Sequence, residues 1–138
     1  MVGLQAMTSR LPSVIAGIGC RRGTNATTII AVLRDAEARA GTTATALAAP
    51  AFKSNEAGLH NAAAMLQLPL ILLDDAQLAS RQKFCPTHSI AAERHTGHAS
   101  IAEASALAAA GSGATLLLAR IAHPTATCAL ALTAVSAP

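Results

Sequence analysis

Short apolar runs that alternate with capped helical stretches set the strongest limit on how this chain can fold. Val14, Ile15 and Ile18 read as a buried strand. A helix follows, started by Thr24 or Asn25 as N-cap, with Ile29, Ile30 and Leu33 inward, and stopped by Gly41. A second strand is expected over about 45–51. The next helix lies in "SNEAGLHNAAAMLQ", capped by Ser54 or Asn55, with Leu59, Ala62, Ala63 and Leu66 facing inward. Gly58 weakens that helix by about 1 kcal/mol relative to alanine, which implies a local purpose. "LPLILL" reads as a central strand, and "DDAQL" as one helical turn in which Asp74 and Gln77 form a capping-box pair.

The second half repeats the alternation. After a loop through Pro86 and a short segment "SIAAERHTG", the run "HASIAEASALAAAG" predicts a helix capped by Ser100, with Glu103 at its third position and Gly111 at its end. "ATLLLAR" and "TCALALTA" are strands on either side of a loop marked by Pro124. The short link between these two allows one of them to run antiparallel. The order implies an α/β protein, a three-layer α/β/α sandwich with a mostly parallel, mixed sheet.

Composition narrows what such a fold would do. With 138 residues, 52% hydrophobic and 12% charged, the chain fits one domain with a real core and excludes disorder. It has two Phe, no Trp and no Tyr, so it lacks stacking platforms for nucleic acid despite a pI near 9.1. A net charge of +3 favours an acidic small molecule as partner. The mean hydropathy is +0.44, but no unbroken apolar run approaches the ~18 residues that a membrane span needs. Residues 1–11 carry no secretory pattern and read as a loose tail, with Met7 as an alternative start, and 12–138 as a single domain. Cys20, Cys85 and Cys128 are odd in number and far apart, without a C-x-x-C, so reduced cytoplasm is the expected setting.

Chemistry concentrates at the strand-to-helix turn "GIGCRRG" and at "FKSNEAG". The first lacks the spacing of a dinucleotide fingerprint or a P-loop. Backbone N–H groups near a helix start, together with the Arg21 and Arg22 forks, suit a carboxylate or phosphate; a tight turn with two solvated arginines is the alternative. A third possibility is a nucleotide or phosphate module using this turn alone. The missing P-loop lysine and the missing acid after the second strand argue against it. Lys53 and Glu56, three residues apart, could bind an acid and move a proton, or Glu56 could simply decorate a helix N-terminus. Cys20 beside a helix start and two arginines should have a lowered pKa, unless it is only a small buried turn residue. His88, His95 and His98 match no zinc spacing and lack a fourth ligand, so no metal or other cofactor is expected.

Taken together, "GIGCRRGT" at 17–24, "FKSNEAGL" at 52–59, "LPL" at 68–70, "GHASIAEASAL" at 97–107 and "TCALAL" at 127–132 resemble the CobE/CbiG C-terminal domain family of cobalamin (vitamin B12) biosynthesis. The pieces follow the family's order and span about 12–135, with no room for the extra N-terminal domains of fused CbiG proteins, so a stand-alone CobE-type form is implied. Arg120 stands where relatives commonly have Lys, and the "IAHPTA" loop after it is less basic than expected.

The resemblance implies a precorrin or corrinoid ligand, a macrocycle fringed with acetate and propionate carboxylates, in an accessory or carrier role. It implies contacts from Gly19, Cys20, Arg21, Arg22, Gly23 and Thr24 of the first motif. Lys53, Gly97, Ser100, Arg120 and Thr127 would add contacts from the later ones. Other cobalamin-pathway enzymes are possible partners; nucleic acid and membrane are not expected. Fused relatives are associated with opening of the ring A lactone of cobalt-precorrin-5A with release of acetaldehyde. A hydrolase of that type is therefore the alternative, with Lys53, Glu56 or Glu103 as candidate acid/base groups.

Overall fold

Asn25 caps the first helix as its sequence position suggests: its side-chain oxygen accepts from the Thr28 N–H at 2.9 Å. The computed structural model describes residues 12–87 and 100–134. In it β1 (Val14–Cys20) leads into α1 (Ala26–Ala40), which Gly41 ends in a left-handed conformation at φ 70°. Then come β2 (Ala46–Pro50), a 3₁₀ turn (Ala51–Lys53), α2 (Ala57–Leu66), β3 (Leu70–Leu73) and α3 (Asp75–Ala79). A 3₁₀ turn (Gln82–Phe84), α4 (Ile101–Ala110), β4 (Thr115–Ala122) and β5 (Ala126–Leu132) complete the described elements. The capping box on α3 forms as expected, Asp74 and Gln77 each accepting the other's backbone N–H at 2.8 Å.

The sheet order is β3-β2-β1-β5-β4. β1 pairs with β2, and β2 with β3, in parallel; β5 runs antiparallel to both β1 and β4. Four strands therefore share a direction and β5 opposes them. The strand alternation sorts side chains to two faces. Val14, Ala16 and Ile18 of β1 pack with Leu47 and Ala49 under Ile29, Val32 and Leu33 of α1 and Leu59 and Ala62 of α2. On the other face Ile15, Ala46 and Ala48 meet Leu78 of α3 and Ala104 of α4. These are the three layers of an α/β/α sandwich. Gly17 lets α4 sit close to the sheet, because a Cβ there would run into the Ala102 carbonyl and Ala106 of that helix.

Three local expectations need correction. "LPLILL" forms an edge strand, not a central one. Leu70 and Leu72 pack into one core and Ile71 into the other, so helices on both faces make an edge strand as apolar as a middle one. The second strand ends at Pro50, since Ala51 opens the 3₁₀ turn. Neither Ser54 nor Asn55 caps α2: the Ser54 and Glu56 N–H groups are spent on the Ala51 and Lys53 carbonyls of that turn, and Glu56 becomes the N-cap residue. Gly58 does have a local purpose, for a Cβ on it would strike the Thr24 carbonyl where α2 crosses the start of α1. The tail 1–11, the segment "SIAAERHTG", His88, His95 and His98 lie outside the described residues. Among the described residues no helix is long and apolar enough to cross a membrane.

Candidate functional site

β1 ends between two neighbours that the chain reaches in opposite directions, β2 next in sequence and β5 last. An open α/β sheet forms a crevice at such a switch point, outside the carboxyl ends of the strands. Here it holds a cleft of about 1050 Å³. One wall is the β1–α1 turn from Gly19 to Arg22, and another is Phe52, Lys53 and Glu56 after β2. The third is the end of β4 and its turn into β5, from Arg120 to Thr127. Asp75 and Ile101 also line it. The volume suits a small molecule of cofactor size.

The turn's backbone is already occupied. Arg21 N–H donates to the Thr125 carbonyl at 2.9 Å, and Thr24 N–H to the Arg21 carbonyl at 3.2 Å. The Thr24 hydroxyl adds bonds to the Arg21 and Thr125 carbonyls, at 2.8 and 3.2 Å. Gly23, at φ 81°, donates its N–H to Glu56 Oε2 at 3.0 Å. The N–H groups of Arg21, Gly23 and Thr24 are thus used within the protein. The guanidinium pair is open to an anion, since Arg21 and Arg22 are exposed. Neither has an ion pair among the described residues.

Lys53 and Glu56 do face one another, Nζ to Oε1 at 3.9 Å, with side chains 21% and 15% exposed. Glu56 therefore does two jobs: it clamps the Gly23 turn to α2 and partly neutralises Lys53. Cys20 follows the second of its two readings, a small residue half-buried at a strand end. Burial pushes its thiol up from the ordinary value, with Lys53 pulling down and Glu56 pushing up. The thiol sits at a strand end, and α1 begins only at Ala26, beyond the reach of a first-turn dipole effect.

Ser100 and Glu103 lie beneath the cleft rather than in its wall. Both are buried, and the Ser100 hydroxyl donates to Glu103 Oε1 at 2.7 Å instead of capping α4. Glu103 also accepts from the Thr87 N–H at 3.0 Å, the Thr87 hydroxyl at 2.8 Å and the Arg120 N–H at 2.9 Å. Burial alone would push this carboxyl up, but those donors hold it below its ordinary value. Gly19 and Thr127 are partners across β1 and β5, and a Cβ on Gly19 would lie 2.6 Å from Thr127 Oγ1. Gly19, Cys20, Arg21, Arg22, Lys53, Glu56, Arg120 and Thr127 thus meet in the cleft. Gly23 and Thr24 brace its turn, and Gly97 lies outside the described residues.

Sequence reasoning missed His123, Asp35 and Phe52. His123 lines the cleft, and its Nε2 lies 3.0 Å from Asp35 Oδ2 on α1. Bonds from His123 and Arg39 hold the Asp35 carboxyl below its ordinary value. The local signal was a histidine beside Pro124 at a strand end, but a pair so distant in sequence leaves no spacing to read.

The family described as cobalamin synthesis G C-terminus matches residues 14–131. No curated protein matches. Among solved structures, CobE, a protein from the cobalamin (vitamin B12) biosynthetic pathway, is 37% identical with a TM-score of 0.85, over 91% of this chain and 94% of its own. Cobalamin biosynthesis protein chiG from Agrobacterium tumefaciens str. C58 is 39% identical with a TM-score of 0.71, over 87% of this chain and 98% of its own. A homolog of cobalamin biosynthesis protein G from Sulfolobus solfataricus shares the fold at 19% identity and a TM-score of 0.68, over 87% of this chain and 36% of its own.

Proposed function

The chain belongs to the CobE/CbiG C-terminal family of cobalamin biosynthesis proteins, and from that premise we propose that its cleft binds a corrinoid or precorrin through the ring's carboxylate fringe. The observation that carries this reading is the charge of the cleft wall. Arg21, Arg22, Lys53 and Arg120 line it against two carboxylates, Glu56 and Asp75, while Phe52 offers an apolar surface to a ring face. Guanidinium forks hold carboxylates bidentately. The role is that of an accessory or carrier protein that hands its ligand to another enzyme of the pathway.

A second reading is hydrolysis of a precorrin lactone with release of acetaldehyde. Binding without turnover is favoured because the candidate carboxylates are engaged: Glu103 accepts four hydrogen bonds below the cleft, and Glu56 holds Gly23 and faces Lys53. The test is titration with a corrin heptacarboxylate, cobyrinic acid, followed by absorbance. Arg21→Ala combined with Arg22→Ala should weaken binding by about tenfold for each charge-assisted hydrogen bond removed, at about 1.5 kcal/mol each. Unchanged affinity at moderate salt would reject the assignment. Incubation with a lactone-bearing precorrin and an acetaldehyde assay separates the two readings, and acetaldehyde above a protein-free control would favour the hydrolase.

A further inference from the structure

The turn between β4 and β5 carries a second oriented group into the same cleft. His123 is fixed at both ends: its backbone N–H donates to the Ala126 carbonyl at 2.8 Å, and its ring Nε2 lies 3.0 Å from Asp35 Oδ2. Asp35 is itself held by Arg39, whose Nε and Nη2 reach its two oxygens at 3.0 and 3.4 Å. This chain of contacts fixes the plane of the imidazole. It also leaves Nδ1 as the ring nitrogen without a partner among the described residues.

We infer that His123 is a further carboxylate-binding residue of the cleft, positioned by Asp35, with Nδ1 as the atom that meets the ligand. The inference rests on the corrinoid reading above and extends it to a residue and a condition. An imidazole bonded to Asp35 through Nε2 can only accept at Nδ1 while neutral, and an approaching carboxylate then meets a lone pair. Once protonated, the same ring donates from both nitrogens, to Asp35 on one side and to a ligand carboxylate on the other.

The charged groups around His123 shape this balance. On α1, Asp35 faces the ring and is shared with Arg39. Arg120 of β4 shares the wall with His123; Arg21 and Arg22 stand on the β1–α1 turn, Lys53 and Glu56 on the second wall, and Asp75 also lines the cleft. A polyanionic ligand brings further negative charge to the same cleft wall as the ring. Ligand binding and proton uptake at His123 are therefore coupled, and affinity should rise as pH falls through the histidine range.

The experiment titrates the full chain with cobyrinic acid at pH 8 and pH 5.5, alongside His123→Gln and Asp35→Asn. The wild type should bind about tenfold more tightly at pH 5.5, as one added charge-assisted bond predicts. His123→Gln should bind with nearly the same affinity at both pH values, and Asp35→Asn should keep only part of the gain. The His123 ring, followed by NMR, should titrate at higher pH when ligand is present. An equal gain in His123→Gln, or a His123 titration indifferent to ligand, would overturn this inference and leave the corrinoid reading standing. No binding by any of the proteins at either pH would overturn the corrinoid reading and this inference with it.

Discussion

Glu103→Gln should cost this protein stability, although the two side chains have nearly the same shape. Oε1 accepts from the Thr87 N–H and the Ser100 hydroxyl, and Oε2 from the Thr87 hydroxyl and the Arg120 N–H. A glutamine must put its NH₂ where one of those oxygens stood. Either hydroxyl can turn to accept from it, but neither backbone N–H can. In both flips, therefore, one buried backbone donor faces another donor. An unsatisfied buried donor costs about 1–3 kcal/mol, and the surviving bonds lose their charge assistance, so the total is about 2–4 kcal/mol. For a domain of this size that lowers Tm by roughly 10 °C.

The pH dependence has a definite sign. Glu103 is held below its ordinary value of 4.5 in the folded protein. Its contribution is then fully present above the unfolded carboxylate range, about 4.3, and is lost as pH falls through the folded value. Thermal melts of wild type and Glu103→Gln should differ most at neutral pH and approach one another in acid. A variant that melts within a degree of wild type at pH 7, or a gap that stays constant into acid, would refute the reasoning.

Three further substitutions probe the cleft and the helix crossing beside it. Glu56→Gln keeps an oxygen for the Gly23 N–H but removes a carboxylate from the ligand's surroundings. Calorimetry with cobyrinic acid should show equal or slightly tighter binding, while Lys53→Met weakens it several-fold. A turnover loss of about 10²–10⁴-fold in Glu56→Gln with normal binding would instead make Glu56 an acid or base. Gly58→Ala would gain about 1 kcal/mol in an unobstructed helix, but here its Cβ meets the Thr24 carbonyl, so the melt should fall; a rise would disprove the close crossing.

What the sequence disclosed was mostly local. Asn25, Gly41 and the Asp74–Gln77 pair act on backbone within a turn of themselves, so their residue types sufficed. The motif set from "GCRRG" to "TCALAL" disclosed the family, because its order and spacing are themselves sequence properties. What it did not disclose shares a long-range cause. Whether "LPLILL" is central depends on which strand the chain leaves unpaired, and apolar density does not report that when helices cover both faces. The sequence neighbours of Cys20 are two arginines, while its spatial surroundings are a strand end beside Lys53 and Glu56. Glu103 has the sequence position of a reactive carboxylate, yet Thr87 and Arg120, from other parts of the chain, close around it.

The few acids of this chain explain why its cleft is basic. Of the seven Asp and Glu residues in the sequence, four satisfy backbone N–H groups. Glu37 holds the Ala44 N–H at 2.8 Å, Glu56 the Gly23 N–H, Asp74 the Gln77 N–H, and Glu103 the N–H groups of Thr87 and Arg120. A fifth, Asp35, is taken up by Arg39 and His123. Carboxylates spent in this way fix turns and strand ends. Arg21 and Arg22 consequently stand at the mouth of the cleft with no ion pair among the described residues. An exposed pair of like charges is unfavourable for the empty protein by a modest, salt-screened amount. The same charges become favourable as soon as a polycarboxylate arrives between them. The acids that stabilise the fold thereby leave Arg21 and Arg22 without an ion pair among the described residues, and this is the charge that the proposed ligand would meet.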